Sequence, residues 1–162
     1  MMNIFLKEHQ LLLEKLINAG AEFIIVGGYA VNYHGYNRTT GDLDLWIKPG
    51  NKNRDILISV LKEFDFQTES LDKLHNTDFS EPFVFNFWEK PYKVDILTKI
   101  SGVSFDEAYK KKIIENFGGL SIPFLNFNHL VLSKMTTNRL RDQADVEELQ
   151  KIMKLKGQKP DR

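Results

Sequence analysis

A short apolar run, Phe23-Ile24-Ile25-Val26, breaks at Gly27-Gly28, and a later run from Asp42 to Ile47 alternates polar and apolar residue by residue. This pair of runs constrains the fold more tightly than anything else in the chain. Four consecutive apolar residues ended by glycine read as a strand buried on both faces. Strand side chains alternate between faces, so Leu43, Leu45 and Ile47 share one face while Asp42, Asp44 and Trp46 share the other. One face of that second strand must pack on a core, and the other must carry two carboxylates.

The flanking segments read mainly as helices. Leu6, Leu12, Leu13, Leu16 and Ile17 form a helical stripe between Ile4 and Asn18, closed by Ala19-Gly20. Tyr29 to Tyr33 predict a short helix after the two glycines. Asp55 to Phe64 predict another, with Ile56, Val60, Leu61 and Phe64 on one side. The polar stretch from Thr68 to Ser80 reads as a loop or weak edge strand. Pro82 to Trp88 and Tyr92 to Thr98 predict a hairpin through Glu89-Lys90-Pro91. In its second arm Lys93, Asp95 and Leu97 share a face. Phe105 to Lys110 predict one or two helical turns, and Ile113 to Ile122 a strand or two around Gly118-Gly119. Asn128 is the expected cap of a helix from His129 to about Thr136. Asp142 is expected to cap or open a last helix striped by Val146, Leu149, Ile152 and Met153. The sum is a single α/β (α+β) domain over residues 1–162, a mixed sheet with helices packed on it.

Composition narrows the class. With 42% apolar and 27% charged residues in 162, the chain suits one globular core. The absence of cysteine excludes disulfides and thiolate metal sites. Twenty-two basic residues balance 22 acidic ones, which excludes a general polyanion binder. The end from about residue 151, with Lys151, Lys154, Lys156, Lys159 and Arg162 against Asp161, reads as a basic, solvated chain end. No signal-like or membrane-spanning run is visible, so a cytoplasmic protein with no membrane partner is expected.

Asp42 and Asp44 stand two apart, about 6.5 to 7 Å along a strand. Asp95 is a third carboxylate, on a later strand whose other face is apolar. Carboxylates so placed can converge on divalent ions, and hard oxygen donors favour Mg2+ or Mn2+. Gly27-Gly28, between a strand and a helix, lets a phosphate approach the backbone. A simple tight turn is the other reading of those glycines. His34 follows the glycine helix and could face the site, although a local hydrogen bond is the commoner role. Trp46 could border a nucleotide pocket or cover the sheet edge. Phe83, Phe85 and Phe87 alternate as core, and Arg141 and Asp145, four apart on a helix, are expected to pair.

The stretches Ile25-Val26-Gly27-Gly28-Tyr29-Ala30 and Arg38-Thr39-Thr40-Gly41-Asp42-Leu43-Asp44-Leu45 resemble the signature of the DNA polymerase beta-like nucleotidyltransferase superfamily. The Arg-X-Thr ahead of the acids is similar to small bacterial stand-alone branches related to abortive-infection toxins. So is the segment from Leu130 to Leu149, with Lys134, Arg139, Arg141, Asp142 and Asp145. The resemblance spans Phe23 to Leu149, and it departs from some relatives in having no basic residue directly beside the glycine turn.

This resemblance implies a minimal nucleotidyltransferase fold and transfer of a nucleotide from a nucleoside triphosphate to an acceptor hydroxyl on RNA, protein or a small molecule. It implies that Asp42, Asp44 and Asp95 form a catalytic metal centre, with Asp95 also serving the acceptor. Gly27, Gly28, Arg38, Thr40 and Lys134 would hold the triphosphate. The alternative is a catalytically inactive nucleotide- or protein-binding module of the same fold, with a protein partner, for example in a toxin–antitoxin pair.

Overall fold

A computed structural model of the chain describes residues 4–157. The sheet is mixed and six-stranded, in the order β3-β4-β2-β1-β6-β5. Its centre is β1 (Phe23–Val26), antiparallel to β2 (Leu43–Ile47) and parallel to β6 (Leu120–Phe124). On one side β2 pairs in parallel with β4 (Val94–Leu97), which pairs antiparallel with the edge strand β3 (Val84–Phe87). On the other side β5 (Ile113–Phe117) closes a hairpin on β6.

The alternation read from the sequence decides which face each residue meets. Leu43, Leu45 and Ile47 enter one core with Phe23, Ile25, Val94 and Ile96. That face is covered by α1 (Lys7–Asn18), α3 (Asn51–Leu61) and α4 (Thr68–His75), through Leu12, Leu13, Leu16, Leu57, Leu61, Leu71 and Leu74. The opposite face holds a second core of Ile24, Val26, Trp46, Phe105, Leu125, Leu130 and Leu149. It is covered by α5 (Phe105–Lys110), α6 (Phe127–Met135) and α7 (Leu140–Leu155), while α2 (Gly27–Tyr33) serves both cores, with Tyr29 in the first and Ala30 and Val31 in the second. Every residue of β1 is buried because both its faces are covered. No helix among the described residues is long and apolar enough to cross a membrane.

Four local readings are corrected. Residues 68–75 are helical, not loop or strand: Leu71 and Leu74, three apart, are both buried on the first core. Two apolar residues in eight are too few to show a helical period, but Glu69 in the first turn and Lys73 and His75 in the last suit the helix dipole. The cap of α6 is Asn126, not Asn128; its side-chain oxygen accepts from the His129 amide at 2.8 Å. The last helix opens at Leu140, which places Asp142 inside its first turn, buried. Lys151 and Lys154 belong to that helix and Lys156 caps it, while Lys159, Asp161 and Arg162 lie outside the described residues.

If α4 belongs to the core, Leu74→Ala should cost about 2–5 kcal/mol of unfolding free energy in urea titrations. A change within about 0.5 kcal/mol, as expected of a surface loop, would remove α4 from the core.

Candidate active site

The second face of the sheet is polar in one place. Strand pairing sets Asn86, Asp95, Asp44 and Val26 side by side across β3, β4, β2 and β1. Asp42 immediately precedes β2, and the chain turns from Val26 into Gly27 at the adjoining strand end. Two clefts open on either side of Asp44. The smaller, about 190 Å³, is lined by Gly27, Gly28, Arg38, Thr40, Asp42, Lys90, Lys134, Arg139 and Arg141. The larger, about 380 Å³, is lined by Asp95, Val84, Leu97, Lys99, Ile100, Ser133 and Thr137, and shares Gly27, Lys134, Arg139 and Asp142 with the smaller. All eight residues singled out in the sequence therefore surround one locus. Asp42 opens to the basic cleft, Asp95 to the more apolar one, and Asp44 to both.

Asp44 is the most perturbed acid of the site. Burial, then a side-chain hydrogen bond with Asp95, then the charges of Asp95 and Asp42, push its carboxyl up to about 8, against an opposing pull from Lys134. A buried carboxyl beside two others keeps its proton and can donate to Asp95. Lys93 adds a cation: its Nζ lies 3.4 Å from Asp42 Oδ2 and 3.8 Å from Asp95 Oδ1. Asp42 Oδ1 is buried without a hydrogen-bond partner. Among the described residues, no group of three His, Cys, Asp or Glu side chains is gathered closely enough to hold a metal ion. The donor chemistry nevertheless suits a hard divalent cation: three carboxylates at one strand end, one of them with an orphaned buried oxygen.

The glycines are required first by the protein itself. Gly27 has φ +67°, and a side chain there would collide with the Asp44 carboxylate. A side chain on Gly28 would strike Thr40, whose Cβ would lie 2.8 Å away. The loop carrying Arg38 and Thr40 thus rests directly on α2, so position 28 is closed to a side chain before any phosphate arrives.

The cations are held from the far side by α7. Asp145, 1% exposed, takes Arg38 in a bidentate pair, Nε to Oδ1 at 2.9 Å and Nη2 to Oδ2 at 3.0 Å. The same carboxylate lies 2.9 Å from Lys134 Nζ, which also reaches Asp142 Oδ1 at 3.2 Å. Asp145 therefore pairs with Arg38 and Lys134, not with Arg141. With two of its three donors directed at these acids, Lys134 keeps at most one for a phosphate. Burial would raise the Asp142 carboxyl, but the Thr137 hydroxyl, Lys134 and Arg139 together hold it below its ordinary value.

Trp46 is placed differently from either expectation, whereas His34 takes the hydrogen-bonding role, with a partner distant in the chain. Trp46 neither lines a cleft nor covers an edge. It is 1% exposed in the second core, edge-on to Phe105, beneath the row of acids. His34 donates from Nε2 to the Leu125 carbonyl at 2.7 Å, which ties α2 to the end of β6. Lys93, Asp145, Asp142 and Thr137 were not singled out for the site. Lys93 was findable, since it shares the face of Asp95 two residues away. The partners of Asp145 were not, because Arg38 is 107 residues distant.

The chain belongs to a nucleotidyltransferase family. Residues 4–156 match the family described as "Nucleotidyltransferase of unknown function (DUF6036)". Solved structures of the same fold include a Thermotoga maritima protein described as a candidate nucleotidyltransferase, 14% identical, with TM-score 0.57 over 92% of this chain and 90% of that one. The lincosamide antibiotic adenylyltransferase LnuA, solved with lincomycin bound, is 13% identical, with TM-score 0.54 over 93% of this chain and 99% of its own. An antigenic nucleotidyltransferase-like protein from Paracoccidioides brasiliensis is 14% identical, with TM-score 0.54 over 91% and 75% of the two chains. At these identities the likeness concerns the fold. Curated protein sequences give no significant match.

A pH prediction follows from Asp44. Unfolded, this carboxyl ionises near 3.8, whereas folded and metal-free it holds its proton to about 8. Between those values the folded state binds more protons, so the Asp44 contribution to stability falls as pH rises through that window and levels above it. Burial lowers the pKa of His9 and His34, and their contributions run the other way. The difference between Asp44→Asn and wild type isolates the carboxyl. Without divalent metal, the variant should gain in urea midpoint relative to wild type steadily from pH 5 to pH 8. A pH-independent difference would mean that Asp44 is ionised throughout.

Proposed function

We propose that this protein is a divalent-metal-dependent nucleotidyltransferase that moves a nucleotide from a nucleoside triphosphate to an acceptor hydroxyl. The observation that carries the reading is the position of Asp44 between two unlike clefts. One holds Gly28, Arg38, Thr40 and Asp42; the other shares Gly27, Lys134 and Arg139 with it but opens on Asp95 and on the apolar Val84, Leu97 and Ile100. Nucleotidyl transfer needs such a division, because the triphosphate and the acceptor must reach one phosphorus from opposite sides. Family membership and the folds of the related structures support it.

In this reading Asp42, Asp44 and Asp95 would hold Mg2+ or Mn2+, which would neutralise charge developing on the phosphates. Gly27, Gly28, Thr40, Arg38 and Lys134 frame the triphosphate cleft. Asp145 fixes the two cations in place before substrate arrives, which lowers the cost of ordering them. Asp95, at the mouth of the larger cleft, takes the proton of the acceptor hydroxyl as its oxygen bonds to the α-phosphorus and the bond to pyrophosphate breaks. The acceptor class is open among RNA, protein and small molecules. The lincomycin held by LnuA makes a small hydroxylated compound one arm of the assay. The residues shared with small bacterial stand-alone branches keep a toxin-like protein target as another.

The test offers α-labelled nucleoside triphosphates with Mg2+ or Mn2+ to RNA, protein and hydroxylated small molecules, for wild type and for Asp42→Asn, Asp44→Asn and Asp95→Asn. Each variant should lose about a hundredfold or more of transfer. Asp95→Asn should retain nucleotide affinity better than turnover. A wild type that binds metal and nucleotide yet labels nothing, with Asp95→Asn matching it throughout, would leave a binding module in place of an enzyme.

A further inference from the structure

Among the described residues, Lys93 is the cation whose ion pairs are with the acids of the site themselves, Asp42 and Asp95. Arg38, Lys134 and Arg139 are all turned to Asp142 or Asp145. Lys93 instead sits at the shared starting end of the parallel pair β2 and β4. There its carbonyl accepts from the Leu43 amide at 3.0 Å, and its ammonium faces Asp42 and Asp95. At 3.4 and 3.8 Å it is an ion-pair partner of both carboxylates, with its side chain 31% exposed. Mg2+ requires carboxylate oxygens at about 2.1 Å in near-octahedral array. Three acids cannot close to that distance around an ion while an ammonium occupies the space between two of them.

We propose that Lys93 is the internal counter-ion of the metal centre: it neutralises Asp42 and Asp95 in the metal-free protein and competes with a divalent cation for them. The inference rests on the nucleotidyltransferase reading above. A free hydrated metal must displace a positive charge that is already in place. A metal arriving with a triphosphate brings anionic oxygens, on which the released ammonium finds a new partner. Metal and nucleotide therefore bind with positive coupling, and Lys93 sets its size. Lys93 is a positioning and selectivity residue in this scheme and takes no part in bond making.

The experiment measures Mn2+ binding by electron paramagnetic resonance of the free ion, with and without a non-hydrolysable ATP analogue. The proteins are wild type, Lys93→Met, Lys93→Gln, Lys93→Arg and Asp44→Asn, each confirmed as folded by circular dichroism. Lys93→Met and Lys93→Gln should bind Mn2+ alone more tightly, on the order of tenfold for one removed charge at this range. The gain from added nucleotide should shrink by the same factor. Lys93→Arg keeps the charge and should stay near wild type. The proposal is overturned if neither neutral variant tightens Mn2+ binding, or if Lys93→Arg tightens it equally, which would make the effect one of shape. Asp44→Asn separates the two levels. If it weakens Mn2+ binding while the Lys93 variants change nothing, the metal centre stands and the counter-ion role falls. If no protein binds Mn2+ with or without nucleotide, both fall.

Discussion

Burying the Asp44 carboxyl is the constraint around which the rest of the site is arranged. A carboxylate at the end of a central strand, next to two more, is unfavourable in the free chain geometry and must be compensated by protons, cations or metal. The protein supplies the first two. Burial and the neighbouring acids push the Asp44 carboxyl up to about 8, Lys93 sits against Asp95 and Asp42, and Lys134 opposes the Asp44 shift from the helical layer. Apolar packing on the other face of β2 holds the acids in this position: Leu43 and Leu45 are fully or almost fully buried, so the strand cannot slide to relieve the crowding.

That same alternation is why the centre of the fold was legible. Phe23 to Val26 are a strand with the expected bounds, and Leu43, Leu45 and Ile47 lie in the core opposite the acids. A short helix follows β1 as read, although it opens at Gly27 and not at Tyr29; the hairpin around Lys90 is present, and the strand or two around Gly118-Gly119 form a second one. The convergence of Asp95 on Asp44 needed one more fact, that β4 lies directly beside β2 in parallel register. Local pattern does not specify which strands become neighbours; packing of the finished sheet does.

Apart from the local Asn126 cap, what escaped the sequence reading depends on partners distant in the chain or on burial by neighbours. Helix α4 is recognisable only once Leu71 and Leu74 have a core to enter. Trp46 follows the face assignment correctly, yet it is sealed by Phe105 from α5 and not exposed to a ligand. Asp145 has Arg141 at the right local spacing, but a buried carboxylate does better with two cations from elsewhere than with one exposed neighbour. Asn126 takes the α6 cap because its side chain meets the His129 amide, a contest with Asn128 that composition alone leaves level.

The pairing of Arg38 with Asp145 also has a consequence in time. Domains are made from the N-terminus, and the two partners are separated by 107 residues of chain. The three acids and the glycine turn all lie within the first 95 residues, and the strands that carry them end by Leu97. A growing chain can therefore hold its cluster of negative charge before it owns the carboxylate that orders the opposing cations. On the ribosome, the Arg38 side of the cleft gains its buried partner only when residue 145 has emerged and α7 has docked. The sheet can be fully paired while the candidate site is still half built.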